Sequence, residues 1–247
     1  MSDKNNICNN CQTAVAGNFC HHCGQRSHID RVTFKETFGD LADGLFSLQA
    51  PIWKTVKHLI IKPGVLLREF LSGKRKHYYK PVSFFIVVSA LYLLVRWAID
   101  FDILSDNTIN VGGAGDSEIL NKARAFMLIH IDKLLFFFVL SMAVLLKLFF
   151  YKRHSLAEYF AVAFFMVGFY MILQTINIVF TTYVDATHHW YGLAAMFLYF
   201  LIAMVSFFKR PKFWIVVKSV FVYVIGFGMY MSMAFGLSVL IAAFNRS

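Results

Sequence analysis

The sequence predicts an all-α membrane protein: about five transmembrane helices, preceded by interfacial amphipathic helices and a small four-cysteine module. Three observations carry this expectation. The 247 residues are 58% hydrophobic and only 15% charged, whereas roughly a quarter of a soluble domain is charged. The apolar residues collect past Pro81 in blocks separated by short polar clusters. The chain's four cysteines all stand near its start, as Cys8-x2-Cys11 and Cys20-x2-Cys23. The chain thus divides into a zinc-ribbon-like module over 1–29, basic juxtamembrane helices over 30–80 and a transmembrane bundle over 81–247.

The module comes first in the chain. Two residues between paired cysteines let both thiolates of a tight knuckle reach one ion, and tetrahedral Zn²⁺ is the usual occupant of four thiolates. Gly24, directly after the second pair, suits the backbone turn of such a knuckle. The short loop between the pairs predicts a knuckle or rudimentary ribbon. Disulfides are disfavoured in a reducing compartment. No His follows either pair directly, as haem attachment requires, and paired spacing fits zinc better than an iron–sulfur cluster. His21 and His22 are read as bystanders. Four thiolates leave no position for water, so the expected Zn²⁺ is structural and supplies the folding energy that about twenty residues cannot. Residues 8–24 hold no Lys or Arg, and a phosphate backbone needs cations. Nucleic acid is not expected as a partner.

The first twenty residues also lack the apolar core of a cleavable signal peptide. The N-terminus is therefore expected to stay in the cytosol.

Residues 32–80 read as two or three short helices at the membrane surface. Phe34, Phe38, Leu41, Leu45 and Leu48 recur at spacings of three and four, the period of one helical face. Pro51 opens a second run with Ile52, Val56, Leu59 and Ile60 largely on one side. Lys62-Pro63-Gly64 breaks it, and Ser72-Gly73 ends a third. Lys74, Arg75, Lys76 and Lys80 then run into the first span. These cations either bind anionic lipid headgroups or only set orientation.

Spans are predicted near 82–99, 134–150, 156–180, 190–208 and 213–244, since about 20 residues cross roughly 30 Å of hydrocarbon. Arg96 and Trp97 close the first at an interface. The last exceeds one perpendicular crossing, so it is tilted, broken near Gly226 and Gly228, or begun along the interface. Cations crowd before the first span and follow the second (Lys152, Arg153) and fourth (Lys209, Arg210, Lys212). The connection after the first span carries Asp100, Asp102, Asp106, Asp116, Glu118 and Asp132 against Lys122, Arg124 and Lys133. Short basic loops mark the cytoplasmic side, which places the N-terminus inside and the C-terminus outside.

Polar groups within the spans are few. Lys147 and Lys218 sit shallow enough to snorkel. Gln174 and Asn177 share one face and either line a polar path or hydrogen-bond to a neighbouring helix. Gly228, Ser232 and Gly236 form a small-residue stripe that would let a second helix, or a second copy, approach.

Several motifs recur together: Phe19-Cys20-His21-His22-Cys23-Gly24-Gln25, Lys62-Pro63-Gly64, Arg68-Glu69-Phe70-Leu71-Ser72-Gly73-Lys74-Arg75-Lys76 and Tyr78-Tyr79-Lys80-Pro81. Over roughly the first hundred residues the chain resembles a family of uncharacterised bacterial polytopic membrane proteins, found chiefly in Bacteroidetes, with an N-terminal four-cysteine zinc ribbon. The resemblance implies a bacterial inner membrane and assigns no activity. A weaker likeness, in architecture alone, is to the Yip family of five-span proteins.

No P-loop, His-Glu-x-x-His, G-x-S-x-G or deep acid pair is present, so no enzyme is expected. The leading expectation is a scaffold or adaptor that engages a cytosolic protein or membrane lipid. The alternative is a small-molecule or lipid transporter using Gln174 and Asn177. An intramembrane enzyme using Glu158 or His154 lacks a second catalytic partner.

Overall fold

The computed structural model describes residues 7–27, 31–34, 52–101, 118–184, 191–209 and 212–244. The amphipathic run expected from Phe34 to Leu48 lies outside them past its first residue. Helices α1 (Ile52–Ile61), α2 (Pro63–Leu71), α3 (Pro81–Ala98), α4 (Glu118–Ile129), α5 (Leu135–Phe149), α6 (Leu156–Tyr183), α7 (Tyr191–Phe208) and α8 (Lys212–Phe244) follow the cysteine module.

Local chemistry sets most boundaries. Pro63 and Pro81 begin α2 and α3, where the missing N–H and preset φ suit a first turn. Ser155 starts α6 with a capping box: its Oγ accepts from the Glu158 N–H at 3.2 Å, and its own N–H donates to Glu158 Oε2 at 2.7 Å. This bond partner, together with His154 Nδ1 at 3.4 Å, gives the buried Glu158 a structural role.

Helix α6 is the central post. Every residue from Ala157 to Phe169 is buried, as befits a helix apolar on all sides. It packs against α3, α5 and α7. Helix α8 is peripheral, and Phe221, Val224 and Leu240 stand exposed on its outer face. Leu91, Leu94, Ile176 and Ile202 extend that apolar exterior over other helices, a surface suited to hydrocarbon. α3, α6, α7 and α8 are long and apolar enough to cross a membrane. α5, with 15 residues, is shorter.

The last helix runs unbroken through Gly226 and Gly228 for 33 residues, about 50 Å at 1.5 Å per residue. α4 and α5 pack along it, antiparallel for α5, since Lys218 and Phe221 meet Phe149 while Phe227 meets Phe138, and Tyr230 Oη donates to the Ile131 carbonyl at 3.1 Å in the turn between them. α4 is a helix within what reads in sequence as a plain polar connection. Glu118, Asn121, Lys122 and Arg124 interrupt its apolar pattern, and its burial of Ala123 and Met127 comes from packing.

Two ends of the bundle can be told apart. At the end nearer the cysteine module, cations meet helix C-termini, where unpaired carbonyls and the helix dipole favour positive charge, and the turn that follows α5. Lys147 Nζ donates to the Tyr151 and His154 carbonyls at 2.9 Å each, and Lys218 Nζ to Phe149 at 3.2 Å. Arg68 of α2 donates to the Ser206 and Phe207 carbonyls at the end of α7. Gly64 makes this approach possible, because a Cβ there would lie 2.4 Å from the Ser206 carbonyl carbon. Tyr199 Oη donates to the Leu59 carbonyl at 3.0 Å. The α1–α2 pair is thereby locked across the bundle's end.

Candidate metal centre and its dock on the basic loop

The two cysteine pairs fold as near-copies of one knuckle. Ile7 bridges Ala14, and Phe19 bridges Arg26, each in antiparallel sense. Within them the Gln12 N–H donates to Cys8 O at 2.9 Å and the Gly24 N–H to Cys20 O at 2.8 Å. Each turn ends on a left-handed residue directly after the second cysteine, Gln12 at φ 62° and Gly24 at φ 68°. Gly24 adopts that region at no steric cost, whereas Gln12 carries a Cβ against it.

This geometry brings the four Sγ atoms within 4.8 Å of one another. Cys8–Cys23 and Cys11–Cys20 are each 3.5 Å apart. Those separations exclude disulfides, whose sulfurs lie about 2.05 Å apart. They fit a single tetrahedral ion, since thiolates at about 2.3 Å from a metal sit about 3.8 Å from each other. Cys8 and Cys20 are buried and Cys11 and Cys23 half-exposed, a twofold pattern matching the repeat. Thr13, through its hydroxyl and its amide, holds the Cys11 thiol low, at about 5, while burial pushes Cys23 up to about 11. The four cysteines together could hold a metal ion. His21 and His22 are exposed and outside the cluster.

The cluster does not stand apart from the bundle. Gln25, 3% exposed and next after Gly24, accepts at Oε1 from the backbone N–H groups of Arg75 at 3.1 Å and Lys76 at 3.2 Å. The second knuckle is thus joined to the basic loop between α2 and α3. That loop is itself held from below. Thr55 of α1 accepts from the Tyr79 N–H at 2.8 Å, and Tyr78 Oη donates to Glu69 Oε2 at 2.5 Å. Lys74 pairs with Glu69 Oε1 at 2.7 Å, and His58 Nδ1 meets Tyr78 Oη at 2.9 Å. The Lys74 and Tyr78 bonds hold the Glu69 carboxyl below its ordinary range. Burial, with Lys54 adding to it, holds His58 low.

The basic residues marked out in sequence therefore differ in situation. Lys74 is engaged with Glu69, Arg75 and Lys80 are half-buried, and Lys76 is exposed. Gln174 and Asn177 are both half-buried on α6. Gln174 Nε2 donates to Tyr170 Oη at 2.5 Å and presses against Gly192. Gly228 and Gly236 have open space where a Cβ would project, and Ser232 is exposed with its hydroxyl on the Gly228 carbonyl at 2.9 Å. The stripe faces outward.

Two long-range contacts escaped the sequence reading. Gln25 meets a loop fifty positions away, and Arg96 meets Asp132 at 3.4 Å across the turn from α4 to α5. No local spacing encodes either pair. The only available hint was an Arg within the last turn of an apolar span, a costly place for an unpaired charge.

The docked unit of α1, α2, the basic loop and most of α3 is similar to one family model. A family model described as "Protein of unknown function (DUF3667)" matches residues 50–93. The similarity covers a minor part of the chain and includes Gly64 and Arg68, whose contacts fasten this unit to α7, and Glu69 and Tyr78, which hydrogen-bond to each other within it. No curated protein and no solved structure matches the chain.

Proposed function

We propose that the chain is a non-enzymatic scaffold or adaptor of a bacterial inner membrane, crossing it five times, with a structural Zn²⁺ in its cytosolic module. The observation that carries the reading is the Gln25 contact, which joins the four-thiolate centre to the basic loop at the mouth of the bundle. A closed shell of four thiolates has no open coordination position and so suits structure over catalysis. Its burial next to Gln25 makes metal-dependent folding of the knuckles a condition for the loop's arrangement. The module also presents Ile7 and Phe19, 51% and 60% exposed, as apolar contacts for a cytosolic protein. Lys76 and its neighbours face anionic headgroups of the same leaflet. The outward Gly228, Ser232, Gly236 stripe offers a second copy a close helix–helix approach.

The test begins with full-length protein purified from bacterial membranes in mild detergent. Elemental analysis should give one zinc per chain. Mild crosslinking in cells should recover a recurring cytosolic partner, and a Cys20→Ser, Cys23→Ser variant should lose both. Gln25→Ala should retain the zinc and weaken the capture. Partner capture that is indifferent to both variants would defeat the adaptor reading.

A further inference from the structure

At the opposite end of the bundle, α3 closes in a way that builds a mixed-charge cleft. Asp100 takes φ 50°, the Phe101 N–H returns to the Arg96 carbonyl at 3.1 Å, and the chain folds back over the helix end. The Arg96 side chain turns with it. Its Nε donates to the Phe101 carbonyl at 3.4 Å, and its Nη1 to the Ile129 carbonyl at 3.3 Å and Asp132 Oδ1 at 3.4 Å. A cleft of about 280 Å³ opens beside it, lined among others by Leu93, Arg96, Trp97, Asp100, Asp132 and Lys133.

Asp132 is the informative member. It is 6% exposed, yet its second oxygen, Oδ2, is buried without a hydrogen-bond donor. A carboxylate in that condition needs a partner that brings N–H or O–H groups. The remaining chemistry narrows the class. Two cations and two carboxylates line the cleft, so a purely anionic headgroup meets Asp100 and Asp132, and a simple cation meets Arg96 and Lys133. A zwitterion with a phosphate and an ammonium held a few bonds apart satisfies both signs. A quaternary ammonium has no N–H to give Oδ2; a primary one has three. Beside the cleft, Trp97 is 79% and Leu93 38% exposed on the bundle's apolar exterior, at the level where an interfacial Trp sits.

We propose that this cleft is a binding site for an aminophospholipid headgroup, phosphoethanolamine on a diacylglycerol, in the leaflet away from the cysteine module. Arg96 and Lys133 take the phosphate, Asp132 takes the ammonium, and Leu93 and Trp97 border the acyl chains. The site depends on the spans crossing a bilayer, not on the adaptor role, and the Cys20→Ser, Cys23→Ser variant should keep it intact.

Full-length protein in detergent is challenged with phosphatidylethanolamine, phosphatidylcholine and phosphatidylglycerol of identical acyl chains, with retention read by native mass spectrometry. Soluble glycerophosphoethanolamine forms a fourth arm. The expected result is an ethanolamine preference over choline on the order of tenfold, the effect of one charge-assisted hydrogen bond. Asp132→Asn should abolish that preference while the protein stays monodisperse with an unchanged melting profile. Lys133→Ala, at an exposed position, should weaken all three lipids and preserve their ratio. Equal retention of the three lipids, a preference for phosphatidylglycerol, or an unchanged ratio in folded Asp132→Asn would each overturn the site. So would soluble headgroup binding as tightly as the lipid.

Discussion

At the residue scale, the knuckles show how the same task is done with and without a suitable residue. Gly24 and Gln12 occupy equivalent left-handed positions after their cysteine pairs, but only glycine is free of the Cβ penalty, about 1–2 kcal/mol for an L-residue. Gln12→Gly should therefore strengthen the module, by up to about 1 kcal/mol once the extra freedom of the unfolded chain is subtracted. Zinc retention against a competing chelator measures this, and retention should rise. Unchanged or lower retention would show that the Gln12 side chain has a contact worth more than its backbone strain. The cysteines themselves were plain in the sequence, because a ligand pair two residues apart is a local geometric statement. Gln25 was not. Its glutamine is ordinary until a distant loop brings two N–H groups to it, and that encounter is tertiary.

At the element scale, most helices were legible because Pro, Gly and the ends of apolar runs punctuate them. Pro63, Pro81 and Ser72-Gly73 bound α2 and α3 within a residue of the expectation. α4 escaped because its apolar face, centred on Ala123 and Met127, is narrow and is stabilised by lying along α8. What the sequence could not convey is how α2 docks. Gly64→Ala places a methyl against the α7 backbone, an overpacking that costs about 1–3 kcal/mol. The expected outcome is a lower melting temperature in detergent, together with faster exchange of α2 amides. A melt at the wild-type temperature would mean that α2 can lift from α7 without loss. The same dock should respond to pH. His58 is held low by burial and by Lys54, so the docked form takes a proton less readily than the released segment. Its contribution is full above the free value of about 6.5 and declines as pH falls through it. Glu69 is held low by Lys74 and Tyr78; its contribution is full above about 4.3 and is lost on further acidification through the lower folded value. Both act in one direction. Hydrogen exchange over residues 73–80, corrected for intrinsic rate, should show protection falling between pH 7.5 and 5.5 and falling further toward pH 4.

At the scale of the whole molecule, the two ends differ in how they handle charge, and this asymmetry supports the orientation proposed above. Near the cysteine module, Lys218 and Arg68 cap helix C-termini, Lys147 holds the turn after α5, and Lys54, Lys57, Lys62, Lys76, Lys152 and Arg153 add cations, with Glu69 and Glu158 the acids among the described residues there. At the other end Arg96 is matched by Asp132, and Lys122 by Glu118 at 2.6 Å. Cations in short loops are retained in the cytoplasm, and the proposed orientation accordingly sets the thiolate centre on the reducing side, where free cysteines would remain ligands. The short α5 fits this arrangement. Its 15 residues cover about 22 Å, and α4 continues its course along α8, so the pair together exceeds the hydrocarbon thickness even though α5 alone does not. A cysteine introduced as Glu118→Cys should react with a membrane-impermeant maleimide in cells whose outer membrane alone is opened. One introduced as Lys152→Cys should react only after the inner membrane is breached, with the Cys8–Cys23 set silent throughout. If both positions label from the same side, α5 does not cross, and a hairpin of α4 and α5 returning to its own face must replace the five-span arrangement.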